Sequence, residues 1–214
     1  MAKCKICLDK FEPKFFLEKT CSNVECKVKY AMQVVVKQKE KQAKDKKQSW
    51  NKEKLELKEK LKTLTDWSSD LQKEINAIVR EIDKEHPCIS SKRPLGKSFD
   101  AGHLFSRGSN PQIRFHLFNI FAQSVHDNQW KSGNQLEFVN GIELTFGEVI
   151  KDYCLSLKGF PTLKLSIDEI KEKIPIARGI LKYLKLQDRK FTTKERVSLR
   201  KEFNLKLKIY DTHN

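Results

Sequence analysis

The chain has 214 residues, with 43 Lys+Arg against 28 Asp+Glu and a formal net charge of +15. This length excludes a large multidomain protein, and a hydrophobic content of 38% predicts a modest core beside solvated parts. The apolar runs are too short for a transmembrane helix and the first residues do not resemble a signal peptide, so we expect a cytoplasmic protein with reduced cysteines and no membrane partner. The basic excess favours nucleic acid as the partner.

Residues 1–30 are predicted to form a zinc-binding cysteine module. Two residues separate Cys4 from Cys7, and four separate Cys21 from Cys26. Two close pairs of thiolates are the usual ligands of a structural Zn²⁺ site, because they can converge on a tetrahedron from two turns. The alternative is a loop that carries four reduced thiols.

Residues 31–85 are predicted to form a long basic helix. Neither Gly nor Pro occurs between Pro13 and Pro87, and Lys, Glu, Gln and Leu dominate the segment. Apolar residues recur at heptad spacing from Leu57 to Ile82, which is typical of a coiled coil or a long packed helix. This seam predicts a homodimer, with packing on the chain's own C-terminal helices as the alternative.

The remaining chain divides into a mixed unit and a helical region. Residues 86–150 are rich in Gly, Pro, Ser, Asn, His and aromatic residues, which predicts a compact unit of short strands and a helix. Residues 151–214 form a basic tail that returns to helical patterning, with capping boxes at Ser166–Glu169 and Thr192–Glu195. The expected fold class is α+β and mostly helical.

Three polar residues of the mixed unit occur in the order that a one-metal nuclease needs. His103 follows a predicted short strand and can take a proton from water as a general base. Asn119 can bond to that histidine and hold its tautomer, and Asn128, at a predicted helix start, can bind a divalent cation. Arg107 and Arg114 can grip phosphate. The alternatives are a structural histidine, an Asx turn, a helix N-cap and plain surface charges.

The pattern resembles the His-Asn-Asn form of the HNH, or ββα-metal, nuclease motif. Over about residues 1–150, the chain is similar to the phage lambda NinG/Rap family of recombination endonucleases. The matching features are the cysteine module, the basic helix and the segments His86–Ser90, Asp100–His103, Arg114–Phe115, Asn119, Asp127–Asn128 and Lys131–Asn134. The resemblance implies a ββα-metal unit in a metal-dependent endonuclease that cuts branched DNA, such as Holliday junctions and D-loops, in phage recombination.

The resemblance assigns the base, orienting and metal-binding roles to the same His-Asn-Asn set. It leaves the acidic metal ligand open, because Gly102 stands where many such sites carry a carboxylate directly before the base. Asp100 is the preferred replacement and Asp127 the alternative. Oxygen ligands favour Mg²⁺, or else Mn²⁺, as the catalytic cation. Lys131 is expected to contact DNA together with the two arginines.

Related nucleases also carry a structural zinc between two cysteine pairs. The corresponding positions here are Cys88, Ser91, Ser124 and Asp127. Because hydroxyls are poor zinc ligands, we expect no zinc there. We expect packing instead by four aromatic residues, Phe99, Phe115, Phe118 and Phe121. Cys154 is predicted to be a small buried hydrophobic residue.

Two other functions fit the sequence. The missing carboxylate and the lost cysteines suit a non-catalytic DNA-binding or scaffold protein that retains a degenerate nuclease fold. An RNA-binding zinc protein is a third interpretation. The sequence contains no recognisable motif for reading bases, so it predicts no sequence specificity.

Overall fold

The computed structural model describes residues 1–131 and 133–210, and the chain is mostly helical. It divides into two units, and the first of them ends at Leu61. The first unit contains the antiparallel strands β1 (Ala2–Lys3) and β2 (Lys10–Phe11) and the long helix α1 (Val24–Lys60). The Asn23 side chain accepts hydrogen bonds from two N–H groups of the first turn of α1, which fixes where the helix begins.

The second unit is an α+β arrangement with one two-stranded antiparallel sheet. Its strands are β3 (Phe99–His103) and β4 (Ile120–Ser124), and a π-helical turn, His126–Trp130, follows β4. Its helices are α2 (Leu64–Asp83), α3 (Gln135–Phe146), α4 (Glu148–Ser156), α5 (Ile167–Gln187) and α6 (Thr193–Leu207). None of the described helices is both long and apolar enough to span a membrane.

The helix predicted over residues 31–85 is two helices. It starts earlier, at Val24, and breaks between Lys60 and Leu64, where Thr63 and Asp66 form a capping box that begins α2. The prediction of one continuous helix is wrong here, because a local cap can begin a new helix without disturbing the heptad pattern.

The second half of the predicted seam is buried inside the chain. Leu71, Ile75, Ile78 and Ile82 are fully buried, in one core with residues of α5 and α6. A coiled-coil partner cannot reach them, so this part of the seam follows the intrachain alternative. The residues upstream are different, since Trp50 and Leu57 are more than half exposed. The homodimer predicted from the seam Leu57–Ile82 stays a prediction, without the buried part of that seam.

The C-terminal region is built as its patterning indicates. Both capping boxes are present, at the starts of α5 and α6. Helix α6 carries Arg196 and Arg200 into the interior, where both bind the carboxylate of Asp83 at the end of α2. The same carboxylate accepts the N–H of Ala122 in β4 at 2.9 Å. The tail therefore fastens α2 to the sheet.

A second core lies around the sheet and the helices α3 and α4. Phe118 and Phe121 are buried there, and Phe115 is buried in the core of α2 and α5, as predicted for these three rings. Phe99 is only partly buried. Cys154 is fully buried in this second core, which confirms its prediction as a small hydrophobic residue.

Candidate functional site

The β3–β4 hairpin positions two of the predicted site residues. Asp100 pairs with Gln123 and His103 pairs with Ile120 in the antiparallel register. The π-helical turn after β4 carries Asn128 back to the start of β3. Its amide Nδ2 donates to Asp100 Oδ2 at 2.8 Å, and Gln129 Nε2 donates to the same oxygen at 2.9 Å. The fold thus joins residues 28 positions apart.

His103 is held in a state that can accept a proton. Its Nε2 lies 3.1 Å from the carbonyl oxygen of Arg114. Since a carbonyl only accepts, Nε2 carries the proton and Nδ1 keeps its lone pair in the neutral ring. Burial lowers the pKa of His103 to about 4, although the bond to the carbonyl opposes this shift. The ring is therefore neutral at pH 7, as a general base must be.

Asn119 orders the loop beside this histidine and is fully buried. Its Oδ1 accepts the N–H of Phe105 at 2.9 Å, and its Nδ2 donates to the carbonyls of Phe105 and Ile113. We expected a bond to the ring or backbone of His103, and none of these side-chain bonds goes there. One of them reaches the carbonyl of Ile113, the residue directly before Arg114, whose own carbonyl bonds to the His103 ring.

The structure separates the two candidate acidic ligands. Asp127 is buried, and its carboxylate accepts hydrogen bonds from Ser124 Oγ at 2.7 Å and Asn134 Nδ2 at 3.3 Å. Burial alone would raise the pKa of Asp127, but these bonds and those from Ser91 and Cys88 lower it to about 2. Asp127 is therefore committed to its neighbours, and Asp100 is the carboxylate that faces Asn128.

The four positions compared above with a zinc site lie together. Cys88 Sγ is 3.4 Å from Asp127 Oδ2, and the Ser124 N–H donates to the same sulfur at 3.2 Å. Ser91 also bonds to the Asp127 carboxylate. A hydrogen-bonded cluster thus connects the segment after α2 to the end of β4 and the turn that carries Asn128.

An open cleft of about 440 Å³ runs past these groups. Six of its lining residues matter for the chemistry: Asp100, His103, Arg107 and Asn128 from the mixed unit, and Asn76 and Arg80 from α2. Within the described part of the chain, Asp100 is the one carboxylate that lines it. Asn76 and Arg80 were not predicted as site residues, because the heptad pattern placed their helix in a coiled coil.

The other two predicted DNA contacts lie outside the lining of this cleft. Arg114 donates from Nε to Gln72 Oε1 at 3.3 Å, and its guanidinium stacks 4.8 Å from the Phe115 ring. Lys131 is half exposed, with its Nζ 3.6 Å from Asp127 Oδ1. Both can contribute to the positive rim, but only Arg107 of the three predicted residues lines the cleft itself.

Gly102 has a packing reason to be glycine. A Cβ atom there would lie 3.0 Å from Gln123 Cβ and 3.1 Å from Gln123 Cδ, and would overlap Gln123 Oε1. Gln123 cannot easily move, because its Nε2 donates to Ser90 Oγ and to the Gly133 carbonyl, each at 2.7 Å. Gln123 on β4 thus occupies the space that a carboxylate side chain at position 102 would need.

The donors around Asp100 suit a hard cation. A half-turn of the Asn128 amide replaces its donating Nδ2 with Oδ1, which gives two oxygen ligands side by side on the cleft wall. Mg²⁺ is usually bound by one or two carboxylate or amide oxygens and keeps several waters, so two protein oxygens in an open cleft fit it.

The first unit contains a separate candidate metal centre. The Sγ atoms of Cys4, Cys7, Cys21 and Cys26 all lie within 4.8 Å of one another. Cys7 Sγ and Cys21 Sγ are 3.8 Å apart. A tetrahedral zinc with bonds of about 2.3 Å requires roughly this S–S separation. The four cysteines can therefore hold a structural metal ion such as zinc, as predicted.

The chain was compared with known proteins. The family model described as "Bacteriophage Lambda NinG protein" matches residues 1–188. A relative named "Protein ninG" from Escherichia phage 933W is 34% identical over 151 residues, which cover 65% of this chain and 75% of the relative. Its namesake from Escherichia phage lambda is 40% identical over 78 residues, or 36% and 38% of the two chains. No solved structure matches. With a family match over most of its length, the chain belongs to the NinG family of bacteriophage proteins.

Proposed function

We propose that this protein is a divalent-metal-dependent endonuclease that cuts branched DNA. The observation that carries the proposal is the meeting of a neutral histidine, His103, with the Asp100–Asn128 oxygen pair in one open cleft beside Arg107. General base, cation ligands and phosphate-binding cation are the groups that hydrolysis of a phosphodiester requires. The strand–strand–turn order around them supports an HNH-like unit.

The roles follow from the geometry of each group. The His103 Nδ1 lone pair takes the proton of the attacking water, while the Arg114 carbonyl keeps the ring in that tautomer. Asp100 and Asn128 would hold Mg²⁺ or Mn²⁺, and the cation would supply Lewis-acid stabilisation of the charge on the phosphate and the leaving oxygen. Arg107, which lines the same cleft, binds the phosphate through its guanidinium.

The glycine at position 102, where many such sites carry a carboxylate, is not evidence that catalysis has been lost. A carboxylate at 102 would need space that Gln123 occupies. The glycine is therefore explained by packing on β4, and Asp100 offers a carboxylate two residues upstream on the same strand. These two points favour an active site over a decayed one.

Branched DNA as the substrate rests on the family resemblance and on the charge. Residues 1–61 carry 17 Lys+Arg against 9 Asp+Glu, and nearly all of α1 is exposed. An exposed basic helix of this kind can bind the phosphate backbone of DNA electrostatically and independently of the base sequence. Binding should therefore weaken steeply with salt, by a log–log slope of about −0.9 for each phosphate neutralised on duplex DNA.

The test is cleavage of a labelled four-way junction beside a linear duplex of the same sequence, in Mg²⁺, Mn²⁺ or EDTA. We expect metal-dependent cutting of the junction by wild type and its loss in His103→Ala. The matched control is His126→Ala, which removes an exposed histidine that does not line the cleft. Tight junction binding without cutting in either metal would replace the proposal with a non-catalytic binder, and preference for RNA of the same shape would indicate an RNA-binding protein.

A further inference from the structure

One face of α2 forms a polar wall of the cleft. Gln72, Asn76 and Arg80 are spaced four residues apart and so lie on the same side of the helix. Gln72 Nε2 donates to Asn76 Oδ1 at 2.9 Å, and Gln72 Oε1 accepts from Arg114 Nε at 3.3 Å. Asn76 and Arg80 line the cleft, while neighbouring apolar residues of α2 enter the core.

Arg80 differs from the other arginines that project from the helices of this unit. Arg178 is paired with Glu74, and both Arg196 and Arg200 are paired with Asp83. Among the described residues no carboxylate lies within 4.0 Å of the Arg80 guanidinium. Its cation is therefore free on the wall of a cleft whose other cation is Arg107.

We propose that Arg80 binds a backbone phosphate of DNA in this cleft, as a substrate-binding residue outside the ββα segment. The inference rests on the proposed function, since it assigns a residue to the same site. A planar guanidinium with free N–H groups matches the geometry of a phosphate and binds it with two parallel hydrogen bonds. Arg80 and Arg107 would then both hold the strand in the cleft that the Asp100–Asn128 pair lines.

Neutralising Asp100 is the competing role for Arg80. It is disfavoured because Asp100 Oδ2 already accepts from Asn128 and Gln129, and no ion pair joins Asp100 to Arg80. The two roles predict different measurements. A phosphate ligand affects DNA binding and its salt dependence, whereas a partner of Asp100 affects the affinity for the divalent cation.

The experiment compares Arg80→Gln, Arg80→Lys and Lys73→Gln in the full chain. Lys73 lies on α2 too, but it is exposed and paired with Asp70. Lys73→Gln therefore removes the same charge from the same helix outside the cleft. The probe is a labelled four-way junction, with binding measured in EDTA over a series of salt concentrations and cleavage measured in Mg²⁺. Direct titration with Mn²⁺ reports cation affinity.

Arg80→Gln should weaken junction binding roughly 10- to 100-fold, as expected for loss of a charge-assisted hydrogen bond. It should also reduce the salt slope by about 0.9, with Mn²⁺ affinity unchanged. Arg80→Lys should recover the slope but not all of the affinity, and Lys73→Gln should have little effect. Equal effects of Arg80→Gln and Lys73→Gln on binding, or a change in Mn²⁺ affinity alone, would overturn the inference. A wild type that binds but never cuts would overturn the endonuclease proposal, while the slopes would still decide the role of Arg80.

Discussion

The contact between Gly102 and Gln123 gives a quantitative prediction for Gly102→Ala. The backbone at 102 is not in the left-handed region, so the cost of a side chain there comes from packing. The new methyl group would overlap Gln123 Oε1, whose amide is fixed by bonds to Ser90 and Gly133. Overpacking a rigid core costs about 1–3 kcal/mol, and displacing the amide would forfeit two hydrogen bonds of about 1 kcal/mol each.

We therefore expect Gly102→Ala to lower the free energy of unfolding by about 3–5 kcal/mol, measured by urea denaturation. In the double variant with Gln123→Ala, the overlap with Oε1 and Cδ disappears and only the 3.0 Å approach to the Cβ of residue 123 is left, so the two changes should cost less together than the sum of their separate costs. A coupling of about 1–3 kcal/mol is expected for residues in contact.

The matched control is Gly179→Ala on the exposed side of α5, where an added Cβ meets no atom within 4 Å. This change should be neutral or stabilising by up to about 1 kcal/mol, because alanine favours the helix. A Gly102→Ala variant as stable as wild type, or one whose cost simply adds to that of Gln123→Ala, would refute the packing account of Gly102. The glycine would then again suggest a lost metal ligand.

Three further predictions concern metal, ion pair and pH. Metal analysis should find one zinc per chain in the wild type and no zinc in Cys4→Ser. The control Cys154→Ala changes a cysteine in the core of the second unit and should retain the zinc. Two tightly held zinc ions per chain would contradict the expectation that the mixed unit binds none. Asp83→Ala should lower the free energy of unfolding, measured in urea, by about 3–5 kcal/mol, because it leaves two buried guanidinium groups unpaired. The control Asp188→Ala removes an exposed partner of Lys84 and should cost about 0–1 kcal/mol. Similar costs for the two variants would contradict this expectation. Burial lowers the pKa of His116 to about 3, so between pH 6.5 and that pKa the unfolded chain binds a proton that the folded chain does not, and the protein loses stability as the pH decreases. Near pH 5, His116→Asn should reduce the slope of stability against pH by about 1.4 kcal/mol per pH unit. An unchanged slope in urea titrations would count against this account.

Local signals in the sequence predicted the elements that depend on local chemistry. The capping boxes at Ser166 and Thr192 begin helices as expected, because both partners of each box lie within one turn. A short segment next to His103 predicted the strand in the same way. The close spacing within each cysteine pair predicted that the four thiols converge. Each of these features is decided by residues that are close in the chain.

The features that the sequence could not decide depend on tertiary packing. A heptad pattern looks alike whether its partner is another chain or α5, so the seam through Leu71 and Ile78 gave no choice between them. Asp100 and Asp127 flank the same hairpin, and only the folded positions of Ser124 and Cys88 show which carboxylate is already occupied. The position of Arg80 in the lining of the cleft could not be predicted for a similar reason, since Arg80 lies 20 residues before Asp100 in the sequence.

The positive charge of the chain is not uniformly available for DNA. Arg196 and Arg200 of α6 are buried and bind Asp83, and Arg200 also donates to the carbonyls of Leu117 and Ile120. These two charges stabilise the position of β4, the strand opposite His103, and cannot contact a phosphate. A count of basic residues therefore overstates the charge that the C-terminal region can offer to the proposed DNA substrate, whereas almost every lysine of α1 is exposed. Salt dependence of DNA binding should accordingly depend more on lysines of α1 than on arginines of α6.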